Sequence, residues 1–518
     1  MSAAAPPSAD PPAVAAGAQA VRQLCAARAG AHCVETHISW VLLAGDDAYK
    51  IKKPLQLDFL DFSTIERRHA ACLEELRINR RTAPGLYLRV VPITGRPDAP
   101  EIGGAGPVLD WAVHMRRFPA RAELTHMLAR GGLQAAHIDA LARQVAALHA
   151  GAARAAPDGP FGQSQALARL VNDNFPPLAR RLAGTSHAAE LDALARWCRA
   201  EAARLAPCMA ERLAGGWVRE CHGDLHLGNL LWLDGQAVLF DALEFDPALR
   251  WIDVMADVAF AFMDLHAHGQ APLAWRLLNA WLDETGDHAG VALLPYCTAY
   301  RALVRAKVAA LRVAAPDDAH AREALRYVQL ARRFSVPPTP VLWLACGVSG
   351  SGKSSQSQPL VEQRGLVALH SDIERKRLFG LSPRASSQGV AGGIYTAQAS
   401  ARTYAELRER ARAVLGAGQP VLVDATFLQR AHRGEFIALA RELGVPCRIL
   451  LFDAPEAVLR ERVRRRAAAG GDPSEATEAV LTRQLAEREP LSAAEAALAW
   501  PVDTRAAVDW AQLPPAWR

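Results

Sequence analysis

The chain has 518 residues, too many for one ordinary core, so two or three domains are expected. Apolar residues make up 51% and charged residues 22%, the balance of a soluble globular protein, and no apolar run approaches the ~20 residues that span a bilayer, which argues against a membrane protein. The net charge of +5 comes from 36 Lys+Arg against 35 Asp+Glu in residues 1–340 and 23 against 19 in 341–518, so neither half has the basic excess of a nucleic-acid binder.

The first 18 residues, rich in Ala and Pro, lack the basic start and long apolar stretch of a secretory signal and read as a disordered tail. Nine cysteines are scattered without a CxxC pair, which argues against a disulfide framework or a zinc site and for a cytoplasmic protein. Only six of the 59 basic residues are lysines. Three of them, Lys50, Lys52 and Lys53, fall in one short segment, and Lys353 falls in the glycine-rich segment described below. Codon bias accounts for the scarcity but not for those positions, because a compact ammonium meets phosphate oxygens in a way that arginine does not.

Residues 19–334 begin strand-rich. ETHISWVLLAG and AYKIKK predict a hairpin joined at Asp46-Asp47, ERRHAACLEELRINRR has helical spacing, and YLRVVPI and VLDWAVHMRRF read as strands. Residues 121–215 are mostly helical, and the chain is helical again after 255. Between them, HGDLHLGNLL carries HxDLxxxN, the catalytic loop of kinase-like folds, where Asp224 positions an acceptor hydroxyl and Asn229 binds metal. Seventeen residues beyond Asp224, the apolar strand VLFD delivers Asp241 at a second metal position. Upstream, alternation offers either Lys50 or Lys52 to the phosphates. The following helix offers Glu75 as the lysine's ion-pair partner, with Glu74 as the alternative.

The order of strand lysine, helix glutamate, HxD loop and metal aspartate is kinase-like, but no GxGxxG loop is present (LAGDDA offers only Gly45) and HGD stands in place of HRD. With those departures, residues 20–330 resemble the aminoglycoside phosphotransferase and choline kinase group. The resemblance implies a bilobal protein-kinase-like α+β domain with His222, Asp224, Asn229 and Asp241 in catalytic and metal positions. It also implies that Asp253 braces the catalytic loop and that the helices of 160–215 and 260–330 shape an acceptor pocket.

SVPPTP, residues 335–340, reads as a linker, because three prolines in six residues end the preceding helical pattern. Beyond it, strands and helices alternate through 341–469, predicting a parallel-sheet α/β domain over 341–518. GVSGSGKS fits GxxxxGK[ST] between a buried-type strand and a helix. The backbone of Gly347, Ser349, Gly350, Ser351 and Gly352 would cradle phosphates, with Lys353 on the β- and γ-phosphates and Ser354 on Mg²⁺; Ser355 follows at the helix start. Asp372 ends the next strand, where a carboxylate can take an acceptor's proton; a helix cap by Ser371 or Asp372 is the structural alternative. Arg375 and Arg377 lie just behind it. Asp424 ends PVLVD at a metal position. VLRERVRRRAAAGG places Arg460, Arg462, Arg464, Arg465 and Arg466 on one helix before a glycine turn, a candidate lid in which Arg462 and Arg466 contact the transferring phosphate.

SGSGKS, Asp372, VDATF with Arg430 and Arg433, and the arginine helix resemble the small P-loop kinases that include gluconate kinases, polynucleotide kinases and zeta-type toxins. The whole chain resembles bacterial fusions of a phosphotransferase with an AAA-type ATPase. The resemblance implies a bifunctional enzyme using ATP and Mg²⁺ on small-molecule acceptors. Two rivals stand beside it: a first half that only senses a ligand, and a second half that processes nucleic-acid ends.

Overall fold

A computed structural model describes residues 11–517 apart from 29, 58–59, 183–184, 314–318, 391–392 and 470–471. By backbone contacts the chain forms two compact units, one of residues 1–166 with 209–261 and one of 167–208 with 262–518.

The first unit is built on a six-stranded antiparallel sheet in the order His32–Glu35, Ser39–Ala44, Asp47–Lys52, Val108–Arg116, Tyr87–Arg96, Ala99–Ile102. Alternation along the strands gives the sheet two faces. Trp40, Leu42 and Ile51 pack on the helix Pro11–Ala26 through Val21 and Leu24. The other face packs Ala48, Tyr87, Val113 and Met115 around Cys72 of the helix Ile65–Asn79, whose N-terminus is capped by the Thr64 hydroxyl. Lys50 and Lys52 alternate with Ile51, so both side chains fall on the face of that second helix. Residues 11–18, expected as part of a disordered tail, are the first half of the helix Pro11–Ala26. Val14, Ala18, Val21 and Cys25 make a stripe at helical spacing that covers the sheet. The expected tail over 1–10 lies outside the described residues.

The second unit holds a five-stranded parallel sheet in the order Val367–His370, Val421–Asp424, Leu342–Cys346, Cys447–Asp453, Ala499–Asp503. Trp343, Ala345, Leu422, Leu450 and Phe452 form its core with Leu360 and Val361 of the helix Lys353–Arg364. The alternation predicted over 341–469 is present element by element, and the strand Ala499–Asp503 adds a fifth.

The helix Ala271–Thr285 belongs to this unit and covers the free edge of the sheet. The Asn279 side chain donates to Leu366 O at 2.9 Å and accepts from Ala368 N at 2.7 Å, completing the hydrogen bonds of the edge strand. Arg276 pairs with Glu362 at 2.8 Å. Arg377 donates to the carbonyls of Leu282 (3.4 Å) and Asp283, placing a cation at the helix C-terminus. The compact units therefore do not divide at 335–340: that proline-rich segment lies inside the second unit. Among the described residues no helix is long and apolar enough to cross a membrane.

Candidate active sites

In the first unit, Glu75 is fully buried between two ammonium groups. Lys50 Nζ lies 2.8 Å from one carboxylate oxygen, and Lys52 bonds the other. Lys50 goes on to Asp241 and Lys52 to Glu244. Burial alone would raise the Glu75 pKa, but the two lysines outweigh it and hold the carboxyl at about 2. Lys52 is wholly enclosed, whereas Lys50 keeps 12% of its side chain exposed and touches Asp241. Lys50 is therefore the lysine that faces the open site. Glu74 turns away, to Arg77 at 2.7 Å and to Arg250.

Asp241 sits at φ +59, a left-handed conformation costing a non-glycine residue of order 1–3 kcal/mol. Its neighbours fix it there: Asp241 N donates to the Tyr87 hydroxyl at 3.1 Å, and Ala242 N donates to Asn79 Oδ1 at 2.8 Å. The HGDLHLGN loop is held from below by Asp257, which accepts from His222 N (3.1 Å), Gly223 N (2.9 Å) and His149 Nε2 (3.0 Å). Burial pushes the Asp257 carboxyl up, but the hydrogen bond and charge of His149 prevail and bring it to about 2. Gly223 is at φ +84, and a Cβ there would lie 2.9 Å from Leu249 O, so the second position of HGD admits only glycine without rearrangement. Asn229 donates to both the carbonyl (3.0 Å) and the carboxylate (2.9 Å) of Asp224. Asp253, expected to brace this loop, instead pairs with Arg212 at 2.7 Å and accepts from Met255 N. The helix begins at Val254, and its register turns Asp257 inward to the loop.

In the second unit the P-loop turns between the strand Leu342–Cys346 and the helix Lys353–Arg364. Gly350 is at φ +80, and a Cβ there would fall 2.6 Å from Leu459 O. Lys353 Nζ folds back onto the carbonyls of Gly347 (2.8 Å) and Val348 (3.2 Å). Burial lowers its pKa against the pull of Asp424 and Asp372. Ser354 Oγ donates to Asp424 at 2.5 Å, and His370 Nδ1 lies 3.2 Å from the same oxygen. The strand Val421–Asp424 runs directly beside the P-loop strand, which brings Asp424 to Ser354. A cavity of about 1110 Å³ opens over Ser349, Gly350, Lys353 and Ser354, with Asp372, Asp424, Arg375 and Tyr395 in its wall.

Two family models match the chain: the Phosphotransferase enzyme family over residues 59–294 and the AAA domain over 342–491. The uncharacterized proteins Rv2004c of Mycobacterium tuberculosis and Mb2027c of Mycobacterium bovis are each 30% identical over 458 residues, 88% of this chain and 90% of theirs. The chain belongs to their family. It is a phosphotransferase, with the phosphotransferase-family match in its first part and the AAA-domain match in its second. Among solved structures, a choline/ethanolamine kinase family protein from Mesorhizobium loti is 14% identical, with 68% of this chain and 99% of that one covered and a TM-score of 0.39. A sugar kinase from Janibacter sp. HTCC2649 is 24% identical, with 33% and 87% covered and a TM-score of 0.26.

In this phosphotransferase, Asp372 is the second residue of the helix Ser371–Leu378, with its side chain in the cavity wall; neither it nor Ser371 caps the helix, whose N-cap position is His370. Burial raises the Asp372 carboxyl, opposed by a hydrogen bond with Ser474 and by the charge of Arg375. Within the P-loop, Gly347 and Ser351 are turned away from the cavity lining: the first supplies the carbonyl that Lys353 holds, and the second is wholly buried with its Oγ unpartnered. Ser355 is exposed and bonds Gly352 O at 3.1 Å.

The arginine helix divides. Arg465 and Arg466 line the cavity, and Arg460 and Arg464 pair outward with Glu456 and Glu461. Arg462 also reaches the cavity wall but is anchored to Thr504 Oγ1 (2.9 Å), Thr504 O (2.6 Å) and Gly350 O (3.3 Å), bracing the P-loop against the segment after the fifth strand. The glycine turn expected to follow this helix, residues 470–471, lies outside the described residues. Arg433 is buried on Glu495 at 2.6 Å and on the carbonyls of Phe427 and Leu428.

Sequence reasoning missed His370, Asp283 and Tyr395. Burial would lower the His370 pKa, but Asp283 and Asp424 raise it to about 9. Asp283, on the edge-covering helix, lines the same cavity. The helices of 260–330 were expected around the first half's acceptor, yet this one turns its C-terminal residues to the P-loop site.

Proposed function

We propose that each half transfers the γ-phosphate of ATP, with Mg²⁺, to a hydroxyl of a small acceptor. The observation that supports this most is that both halves bring together the same three parts: a lysine facing the site, a carboxylate suited to hold metal and a second carboxylate suited to receive the acceptor's proton. These are Lys50, Asp241 and Asp224 in one, and Lys353, Asp424 and Asp372 in the other.

The residues fit the groups they would hold. Gly350 and Gly352 both turn at φ +80, and the cavity opens over Ser349, Gly350, Lys353 and Ser354, where backbone N–H groups can meet phosphate oxygens. Ser354 with Asp424, and Asn229 with Asp241, are the hard oxygen donors that Mg²⁺ takes. Mg²⁺ at those positions supplies charge neutralisation on the phosphate oxygens. Lys353 releases the carbonyls of Gly347 and Val348 to meet phosphate, and Lys50 leaves Asp241 in the same way. Asp224, fixed by the Asn229 amide, and Asp372, with its raised pKa, each receive an acceptor proton. The even charge balance favours small molecules over nucleic acid, and nine unbridged cysteines favour the cytoplasm.

Equilibrium binding of Mg·ATP tests the reading. Two sites per chain are expected, falling to one in Lys353→Ala; a single site in the wild type would remove one half from it.

A further inference from the structure

Residues 472–476, which follow the arginine helix, run along the wall of the P-loop cavity and are tied down there by several contacts. Glu475 accepts from Ser387 N at 2.9 Å and from the Ser387 hydroxyl, and it lies 3.3 Å from Lys376 Nζ. Its own N–H donates to the Tyr395 hydroxyl at 3.3 Å. One residue on, Ala476 O accepts from Arg466 at 3.4 Å. Ser474 sits just before these anchors, with its N–H turned onto Asp472 Oδ1 at 2.8 Å, and it lines the cavity.

The Ser474 hydroxyl is hydrogen-bonded to the carboxylate of Asp372. That carboxylate acts in turn on Lys353, together with Asp424 and Arg466. A hydroxyl of the chain itself therefore stands where an acceptor hydroxyl is needed, on the proton-accepting carboxylate and beside the P-loop lysine. Other hydroxyls of the wall are engaged elsewhere: Ser354 donates to Asp424, Ser355 donates to Gly352 O, and Ser400 accepts from Arg375. A serine hydroxyl is a weak nucleophile until an adjacent base receives its proton. Charge-assisted bonds from Lys376 and Ser387 to Glu475 hold the neighbouring backbone, so the approach of Ser474 to Asp372 is fixed by the fold.

We propose that Ser474 is an internal acceptor of the P-loop half, phosphorylated within its own chain. This rests on phosphotransfer by that half. Ser474 Oγ forms its bond to the γ-phosphorus as the bond to the β–γ bridging oxygen breaks. The hydroxyl proton passes to Asp372, and ADP departs. Arg465 and Arg466, both in the cavity wall, supply the counter-charge for the phosphoserine.

The test incubates the full chain with γ-labelled Mg·ATP and no other acceptor. Label should appear on Ser474, located by peptide mass spectrometry, with a rate constant independent of chain concentration. Lys353→Ala should lose it. Ser474→Ala should lose it while keeping both Mg·ATP sites, and Ser474→Thr should regain it as phosphothreonine. Glu475→Gln should slow the labelling by roughly 10- to 100-fold at unchanged Mg·ATP affinity, because the hydroxyl is no longer held on its base. Label on another residue in place of Ser474, or a rate constant that rises with chain concentration, overturns the proposal. An unlabelled Ser474 in a chain that still binds Mg·ATP at the Lys353-dependent site also overturns it, and leaves the reading of the P-loop half standing. Absence of that binding site removes both.

Discussion

Replacing Asn279 by leucine should loosen the P-loop sheet from its edge. The side chain is buried and serves two backbone groups, Leu366 O at 2.9 Å and Ala368 N at 2.7 Å, both in residues no more than 2% exposed. Leucine fills a similar volume and serves neither. Each orphaned group costs about 1–3 kcal/mol. Leucine's added apolar contact offsets about 1 kcal/mol, leaving a loss of roughly 1–5 kcal/mol. Neighbouring Arg276 gives the control: its pair with Glu362 is part-exposed, so Arg276→Ala should cost no more than about 1 kcal/mol. Hydrogen exchange over 366–370 reads the local opening. Protection should fall by roughly 5- to 5,000-fold in Asn279→Leu, and by less than that and no more than about fivefold in Arg276→Ala. Unchanged protection in Asn279→Leu, or an equal fall in both variants, would refute the view that this helix completes the sheet.

The two carboxylates of the P-loop site should separate kinetically. Asp372→Asn should cut transfer by roughly 10²–10⁴-fold at nearly constant ATP affinity, whereas Asp424→Asn should raise the Mg²⁺ requirement; Asp372→Asn with full turnover would make that residue structural. His266 is half-buried against Phe262 and Phe334 with its Nε2 enclosed and unpartnered, and desolvation, helped by the charge of Arg333, lowers its pKa from 6.5 to about 4. The unfolded chain therefore binds this proton first. The contribution of the neutral ring is complete above pH 6.5 and is lost, to the extent of about 3 kcal/mol, as pH falls toward 4. Urea midpoints across that range should slope less steeply in His266→Leu, and equal slopes would show that His266 does not titrate as described.

Much of both sites is written in local sequence. A P-loop needs glycines at fixed spacing between a strand and a helix, and period-two alternation puts Lys50 and Lys52 on one face opposite Glu75. Single-position choices that depend on tertiary packing are not legible in this way. Asp253 and Asp257 stand four residues apart, and only the start of the helix at Val254, with His149 packed across from it, decides which carboxylate holds the HGDLHLGN loop. Arg462 reads as a lid arginine until the strand Ala499–Asp503 brings Thr504 to it, and residues beyond 469 carry no pattern that predicts that strand. The amide of Asn279 matches no motif, since any polar residue at that point of an amphipathic helix would look the same. The helix Pro11–Ala26 is hidden by its composition: alanines and prolines suggest a tail, and the stripe from Val14 to Cys25 has meaning only against the sheet it covers.

The central claim is that both halves move phosphate. Incubating the full chain with γ-labelled ATP and a metabolite panel tests it most directly, with Lys353→Ala, Asp224→Asn and the double variant in parallel. Two acceptors, or two sets of them, should be labelled by the wild type. Lys353→Ala should lose one set, Asp224→Asn the other, and the double variant both. Labelling by Asp224→Asn identical to the wild type for every acceptor would contradict the account and leave the first half without a catalytic role.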